Sequence, residues 1–128
     1  MNKEQMDEFL QSIGGFKNGF NLESNPITDS DFFEVGLGWF PLIKDLITDL
    51  IELGWNKEVC QVKEKFGGLR FYINAATSDV HKRISQAEIE SMNICEVTGK
   101  PGKLRTDIGW YRTLCDEEYE KCLKQIKN

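Results

Sequence analysis

Two consecutive glycines divide residues 61–74 into two halves in which polar and apolar side chains alternate. A Gly-Gly pair suits the type I′ or II′ turn of a β-hairpin, because glycine adopts positive φ without a Cβ clash. The pattern therefore predicts a hairpin over residues 59–74 that is closed by a Gly67-Gly68 turn. Since the turn defines the register, it also predicts that Lys65 lies directly opposite Arg70.

The alternation sorts the predicted hairpin into two faces, because successive side chains of a strand point to opposite sides. The face expected to meet the core is apolar and contains Cys60, Val62, Phe66, Leu69, Phe71 and Ile73. The other face is basic and aromatic, and it contains Lys63, Lys65, Arg70 and Tyr72. Cations placed opposite each other repel unless a negative group lies between them. This basic face is therefore the predicted binding surface for an anionic ligand, such as a nucleotide, or for an acidic protein surface.

Acidic side chains offer an alternative explanation of the basic face. The chain has 21 Asp and Glu residues, and those of a neighbouring helix can neutralise the three cations internally. One acid, Glu64, falls on the apolar face, where a carboxylate needs a partner. Arg83, Arg105 or backbone N–H groups are its predicted partners.

Composition and charge limit the class of protein. An apolar content of 40% and a charged content of 29% are typical of a globular protein, and the length suits a single domain over 1–128. The net charge of −5 argues against a protein that coats nucleic acid, since such proteins are usually basic. The amino-terminal segment is polar, and charges interrupt the apolar stretch from Trp39 to Trp55. We therefore expect neither a signal peptide nor a membrane span, and a cytoplasmic location.

Helical spacing of apolar residues, together with capping residues, predicts four helices. The first covers residues 2–13, and the others cover about 41–53, 80–93 and 116–126. The predicted fold class is α+β, in which a small antiparallel sheet centred on the hairpin packs on these last three helices.

A segment over 95–115 is similar to a zinc ribbon that lacks half of its ligands. A ribbon presents two Cys-x-x-Cys pairs, because structural zinc takes four nitrogen or sulfur ligands. Here Cys95 and Cys115 occupy relic ligand positions, whereas Thr98 and Glu118 stand where their partners would be. The interpretation is a degenerate zinc-ribbon-like segment with packed thiols and no metal or other cofactor; bound zinc is the alternative. If the segment packs beside the hairpin, Trp110 and Arg112 become neighbours of the basic face.

Several motifs between residues 34 and 118 together resemble a group of small phage and prophage proteins that has no assigned activity. They are Gly36-Leu-Gly-Trp-Phe-Pro-Leu-Ile43, Val62-Lys-Glu-Lys-Phe-Gly-Gly-Leu-Arg-Phe-Tyr72, Ala87-Glu88 with Ser91, Cys95-Glu-Val-Thr-Gly-Lys-Pro-Gly102, and Gly109-Trp110 with Thr113-Leu-Cys115. In that group the first motif is closer to Gly-Asp-Gly-Trp, and the last two carry complete Cys pairs suggestive of zinc. This chain departs from the pattern at Leu37, Thr98 and Glu118. The resemblance implies a small accessory protein in a bacterial host cell, made during infection or from a prophage.

Binding rather than catalysis is the predicted function. The sequence contains no P-loop and only one histidine, so the common hydrolase patterns are missing. The predicted protein is an accessory or inhibitor protein that binds an anionic ligand or a host protein. The predicted site consists of Lys63, Lys65, Arg70, Tyr72, Trp110 and Arg112. The alternatives are a degenerate zinc ribbon that binds nucleic acid, and an enzyme that uses Glu64 on an anionic substrate.

Overall fold

A computed structural model describes residues 1–20 and 25–127, except for the side chain of residue 127. The described helices are α1 (Lys3–Ser12), α2 (Phe40–Glu52), α3 (Ser78–Ser91) and α4 (Asp116–Lys127). The described strands are β1 (Lys17–Asn18), β2 (Phe33–Glu34), β3 (Glu58–Val59), β4 (Gln61–Lys65), β5 (Gly68–Tyr72), β6 (Lys103–Arg105) and β7 (Arg112–Leu114). The predicted α+β class is confirmed. None of the helices in the described ranges is long and apolar enough to cross a membrane.

Helix α2 is the centre of the main core, because its apolar residues recur at helical spacing and turn one broad face inward. Leu46, Ile47 and Leu50 are completely buried on this face. Aromatic rings surround the helix, and Phe16, Phe33 and Trp39 are among the buried ones. A second and smaller buried cluster lies under the 95–115 segment and against α4.

The strands form three small sheets rather than one antiparallel sheet. β4 and β5 pair antiparallel, but β2 joins β4 in parallel, so the central sheet has the order β2-β4-β5 and is mixed. β1 pairs with β3 in parallel, and β6 pairs with β7 antiparallel. The prediction of a purely antiparallel sheet is therefore wrong, because a strand as short as β2 leaves no periodic pattern in the sequence.

The hairpin turn lies one residue earlier than the sequence predicts. Phe66 and Gly67 occupy the two central positions with φ of 54° and 85°, whereas Gly68 pairs with Lys65. Lys63, and not Lys65, lies directly opposite Arg70. Each residue of β4 therefore pairs with a β5 residue two positions before its predicted partner. Because side chains alternate with a period of two, each strand residue stays on its predicted face. Phe66 is the exception, since it leaves the core face and lies in the turn.

Contacts outside the hairpin account for this turn. The Thr113 hydroxyl donates a hydrogen bond of 2.7 Å to the carbonyl oxygen of Gly67. The N–H of Gly67 donates a hydrogen bond of 2.8 Å to Glu64 Oε2. The φ of 85° at Gly67 favours glycine, and a Cβ atom added there would lie 2.5 Å from Leu104 Cδ1, so a larger residue would also displace that side chain. These contacts hold Gly67 inside the turn and offset the left-handed conformation of Phe66, which for an L-residue costs about 1–2 kcal/mol.

Helix α3 covers the outer edge of β5 with two side chains. Ser91 Oγ accepts a hydrogen bond of 2.9 Å from the Leu69 N–H, and Glu88 Oε2 accepts one of 3.1 Å from the Phe71 N–H. An exposed strand edge presents unpaired N–H groups that promote association with other chains. The two polar side chains satisfy these donors, so the spacing of Glu88 and Ser91 has a structural explanation.

Replacing Ser91 with Ala is expected to lower the free energy of unfolding by about 1–3 kcal/mol, because the buried Leu69 N–H loses its acceptor. Urea denaturation measures the change. Ser85→Ala is the matched control, since Ser85 is exposed on the same helix. Equal stability of the two variants would contradict the assigned role of Ser91.

A network of charges ties α1 to the turn that precedes β2. The Asp7 carboxylate accepts hydrogen bonds from the hydroxyl and the N–H of Ser30. Lys3 Nζ lies 3.0 Å from Asp7 and 2.8 Å from Asp29. The two hydrogen bonds from Ser30, together with the Lys3 ammonium, lower the pKa of Asp7 to about 2.

Asp7 is expected to make stability depend on pH in the acid range. Its pKa is lower in the folded than in the unfolded chain, so its contribution is complete above the ordinary carboxyl pKa and is lost as the pH falls towards about 2. The stability difference between the wild type and Asp7→Asn should therefore shrink between about pH 5 and pH 2. Denaturant titrations at several pH values, with Glu8→Gln as the exposed control, test this. A difference that is constant with pH would contradict it.

Candidate functional site

The basic face of the hairpin is present on the side of the sheet opposite to the core. Lys63 and Arg70 are half-buried neighbours at its centre, whereas Lys65 and Tyr72 are exposed. Lys63 Nζ lies 5.9 Å from the ring centroid of Tyr72, within range of a cation–π contact. The shift in register therefore brings Lys63 and Arg70 together, and both belong to the site predicted from the sequence.

The cations of this face have no acidic partner among the described residues. Eight ion pairs of 4.0 Å or less occur in the described ranges, and none includes Lys63, Lys65 or Arg70. Glu34 is aligned with Lys63 across β2 and β4, but its carboxylate accepts a hydrogen bond from Gln61 instead. Neutralisation by helix acids, the alternative considered from the sequence, is therefore not found in the described part of the chain.

A shallow groove of about 320 Å³ lies beside the basic face, between β5 and α3. Arg70 and Tyr72 line one wall of this groove. Helix α3 supplies the opposite wall, with His81, Ser85 and Glu88. Sequence reasoning missed His81 and Ser85 as site residues. Ser85 follows His81 by four residues and Glu88 follows Ser85 by three, the spacing that places side chains on one helix face. This signal was available in the sequence.

The other two predicted site residues lie on the segment that crosses the hairpin tip. Arg112 is in β7, and its Nη2 atom lies 4.0 Å from Glu96 Oε1, so its guanidinium is directed to a carboxylate of the chain itself. Trp110 is 56% exposed in the connection between β6 and β7. No ring contact or hydrogen bond within residues 1–20 and 25–127 joins Trp110 to the basic face.

Glu64 is held by the hairpin turn. Its carboxylate accepts a hydrogen bond from the Gly67 N–H, and a backbone N–H is one of the kinds of partner predicted for Glu64. The prediction that Arg83 or Arg105 pairs with Glu64 is wrong. Arg83 pairs with Asp49 at 2.8 Å, and Arg105 pairs with Asp116 at 2.8 Å.

The Glu64 contact predicts different effects for two substitutions. Glu64→Ala removes the acceptor of the buried Gly67 N–H and should lower the free energy of unfolding by about 1–3 kcal/mol. Glu64→Gln keeps an oxygen acceptor and should change it by less than about 1 kcal/mol. Thermal or urea denaturation distinguishes the two. If both variants are destabilised alike, the turn contact does not explain this inward carboxylate.

A second carboxylate, Glu96, connects the 95–115 segment to the loop before α2. It is buried, and its Oε2 atom accepts a hydrogen bond of 3.0 Å from the Gly36 N–H. Its carbonyl oxygen accepts one of 2.7 Å from the Gly38 N–H. Burial raises the pKa of Glu96, while the Gly36 N–H and the Arg112 charge act in the opposite direction. A Cβ atom on Gly38 would lie 2.2 Å from the Cys95 carbonyl oxygen, so the close contact requires glycine.

Cys95 and Cys115 are buried in the smaller cluster with Ile108 and Leu114. The Thr98 hydroxyl lies 3.7 Å from Cys115 Sγ. Burial opposes ionisation of Cys95, but the Thr98 hydroxyl and nearby backbone N–H groups stabilise its thiolate, and their sum lowers its pKa. Within the described ranges, no group of three or more His, Cys, Asp or Glu side chains is placed to hold a metal ion. Cys95 and Cys115 thus form part of an apolar cluster.

Comparison of the chain with protein-family models, with curated proteins and with solved structures finds no match.

Proposed function

We propose that this protein binds a small anionic ligand on the basic face formed by Lys63, Lys65, Arg70 and Tyr72, and that it does so without catalysis. One observation carries the proposal: the three cations lie together on a sheet face, and none has an acidic partner within 4.0 Å among the described residues. Adjacent like charges destabilise a sheet unless an anion lies between them. A bound anion would supply that charge.

The side chains beside the cations favour a ligand that combines a phosphate with a planar group. Arginine forms two parallel hydrogen bonds with a phosphate, and Arg70 is the cation that lines the groove next to α3. The exposed ring of Tyr72 offers a stacking surface in the same groove. Ser85 and Glu88 add polar groups that can form hydrogen bonds with a base. A nucleotide-like ligand meets all of these requirements.

The resemblance to phage and prophage proteins supplies a setting for this activity. In that setting the protein is a small accessory or inhibitor protein that sequesters its ligand inside a bacterial host cell. Glu64 argues against the enzymatic alternative, because it lies on the core face of the hairpin with Leu69, bound to the Gly67 N–H, and not on the basic face. The net charge of −5 argues against general binding of nucleic acid.

Charge reversal on the basic face tests the proposal. The double variant Lys65→Glu, Arg70→Glu is expected to bind adenosine monophosphate about tenfold or more weakly than the wild type, because it loses a charge-assisted contact and gains repulsion. Isothermal titration calorimetry measures the affinity. The control Lys17→Glu, Lys124→Glu makes the same change in net charge at exposed positions elsewhere and should bind as the wild type does.

Two results would refute the site assignment. The first is equal affinity of both double variants for adenosine monophosphate, which would show only a general charge effect. The second is no binding of adenosine monophosphate or of inorganic phosphate by the folded wild type, which would leave the basic face without the proposed ligand class.

A further inference from the structure

We infer a second binding surface at the tip of the hairpin, which docks a partner protein whose apolar pocket is rimmed by carboxylates. It consists of Phe66, Leu104 and Tyr111 and is called the tip surface below. The apolar residues of the tip surface lie outside the proposed ligand site and the partner is a macromolecule, while Lys65 lies at the edge of both surfaces.

The tip surface is an exposed apolar patch built from two β-ribbons. Phe66 is 64% exposed and Tyr111 is 48% exposed, and their ring centroids lie 6.3 Å apart. Leu104 packs over Gly67, the residue that follows Phe66. Trp110 precedes Tyr111 and is also exposed. Exposed apolar patches with a polar rim are typical of protein interaction sites, and Trp and Tyr are enriched among the residues that contribute most to binding.

The conformation of Phe66 is an independent observation that points to a partner. Its φ of 54° lies in the left-handed region, where a bulky side chain is disfavoured and Gly or Asn is preferred. Its ring is largely exposed, so it contributes little to the core. A residue that favours neither the turn nor the core is best explained by contacts outside the chain, and strained residues cluster at binding sites.

The charges around the tip surface select an acidic partner. Lys65 Nζ lies 5.6 Å from the Phe66 ring centroid, and Lys103 is exposed at the start of β6. Lys65 and Lys103 belong to none of the ion pairs found among the described residues, whereas the other cations of the second ribbon, Arg105 and Arg112, pair with Asp116 and Glu96. The tip surface therefore carries two cations outside any described ion pair, on a chain whose net charge is −5. Complementary charge on a partner would increase the association rate and exclude basic surfaces.

Two other occupants fit these observations less well. A symmetric dimer through the tip surface would bring the same patch of both copies together and oppose their lysines. Single-stranded nucleic acid also binds aromatic and basic surfaces, but its phosphates would be repelled by the remaining, strongly acidic part of the chain. An acidic protein partner places carboxylates, and not lysines, opposite the lysines of this chain. It also carries far fewer charges per unit length than nucleic acid, so the acidic part of the chain repels it less.

Selection from a random dodecapeptide display library, with depletion on Phe66→Asn, tests the inference. Enriched peptides are expected to be acidic and to contain a large apolar residue. A synthetic copy should bind the wild type about tenfold or more tightly than Phe66→Asn, and added salt should weaken it. Ile89→Gln, which removes an equally exposed apolar residue from α3, should leave binding unchanged.

The Phe66→Asn variant is also expected to fold, because Asn tolerates the left-handed conformation, and its denaturation midpoint should equal or exceed that of the wild type.

The inference is overturned if no peptide is enriched, if the enriched peptides are basic, or if they bind Phe66→Asn as tightly as the wild type. It is also overturned if oligodeoxythymidylate, or a second copy of the chain, proves to be the Phe66-dependent partner. Binding of adenosine monophosphate should be the same in Phe66→Asn and in the wild type, so failure of either proposal is distinguishable from failure of the other.

Discussion

The buried hydrogen bond from the Thr113 hydroxyl to the Gly67 carbonyl oxygen is the contact on which the arrangement of the two ribbons depends. It attaches the hairpin tip to β7, and the Glu64 carboxylate holds the N–H of the same glycine. Gly67 is thus fixed inside the turn from both sides, and Phe66 must take the strained position beside it. A buried hydroxyl that loses its acceptor costs about 1–3 kcal/mol, so the contact is strong enough to determine where the hairpin turns.

The register that follows from this turn creates the candidate site. It aligns Lys63 with Arg70 on the solvent side of the sheet, and it presents the N–H groups of Leu69 and Phe71 to α3. Because α3 must approach closely enough to accept those hydrogen bonds, its outer residues form the second wall of the groove beside Arg70. The structural role of α3 at the strand edge and the existence of the groove therefore have the same cause.

Local patterns predicted much of this fold, and tertiary contacts decided the rest. The helix predicted at 41–53 begins and ends one residue earlier, and apart from Phe66 the two hairpin faces are as predicted, because both follow from the spacing of apolar residues. The position of the turn was wrong, since it depends on Thr113, a residue 46 positions away from Gly67. The helical spacing of His81, Ser85 and Glu88 was visible in the sequence, but their position beside the hairpin follows from tertiary contacts and was missed. The parallel strand β2 was missed for the same reason. The site residues of the hairpin could thus be predicted, whereas their neighbours from other elements could not.

Native mass spectrometry of the protein, purified gently from the cells that produce it, is the most direct test of the central claim that the basic face holds an anion. The wild type is expected to carry a small anionic molecule. The Lys17→Glu, Lys124→Glu control should retain it, and the Lys65→Glu, Arg70→Glu variant should lack it. A wild-type chain without bound mass, or the same bound mass in the charge-reversed variant, would show that the basic face does not hold an anion.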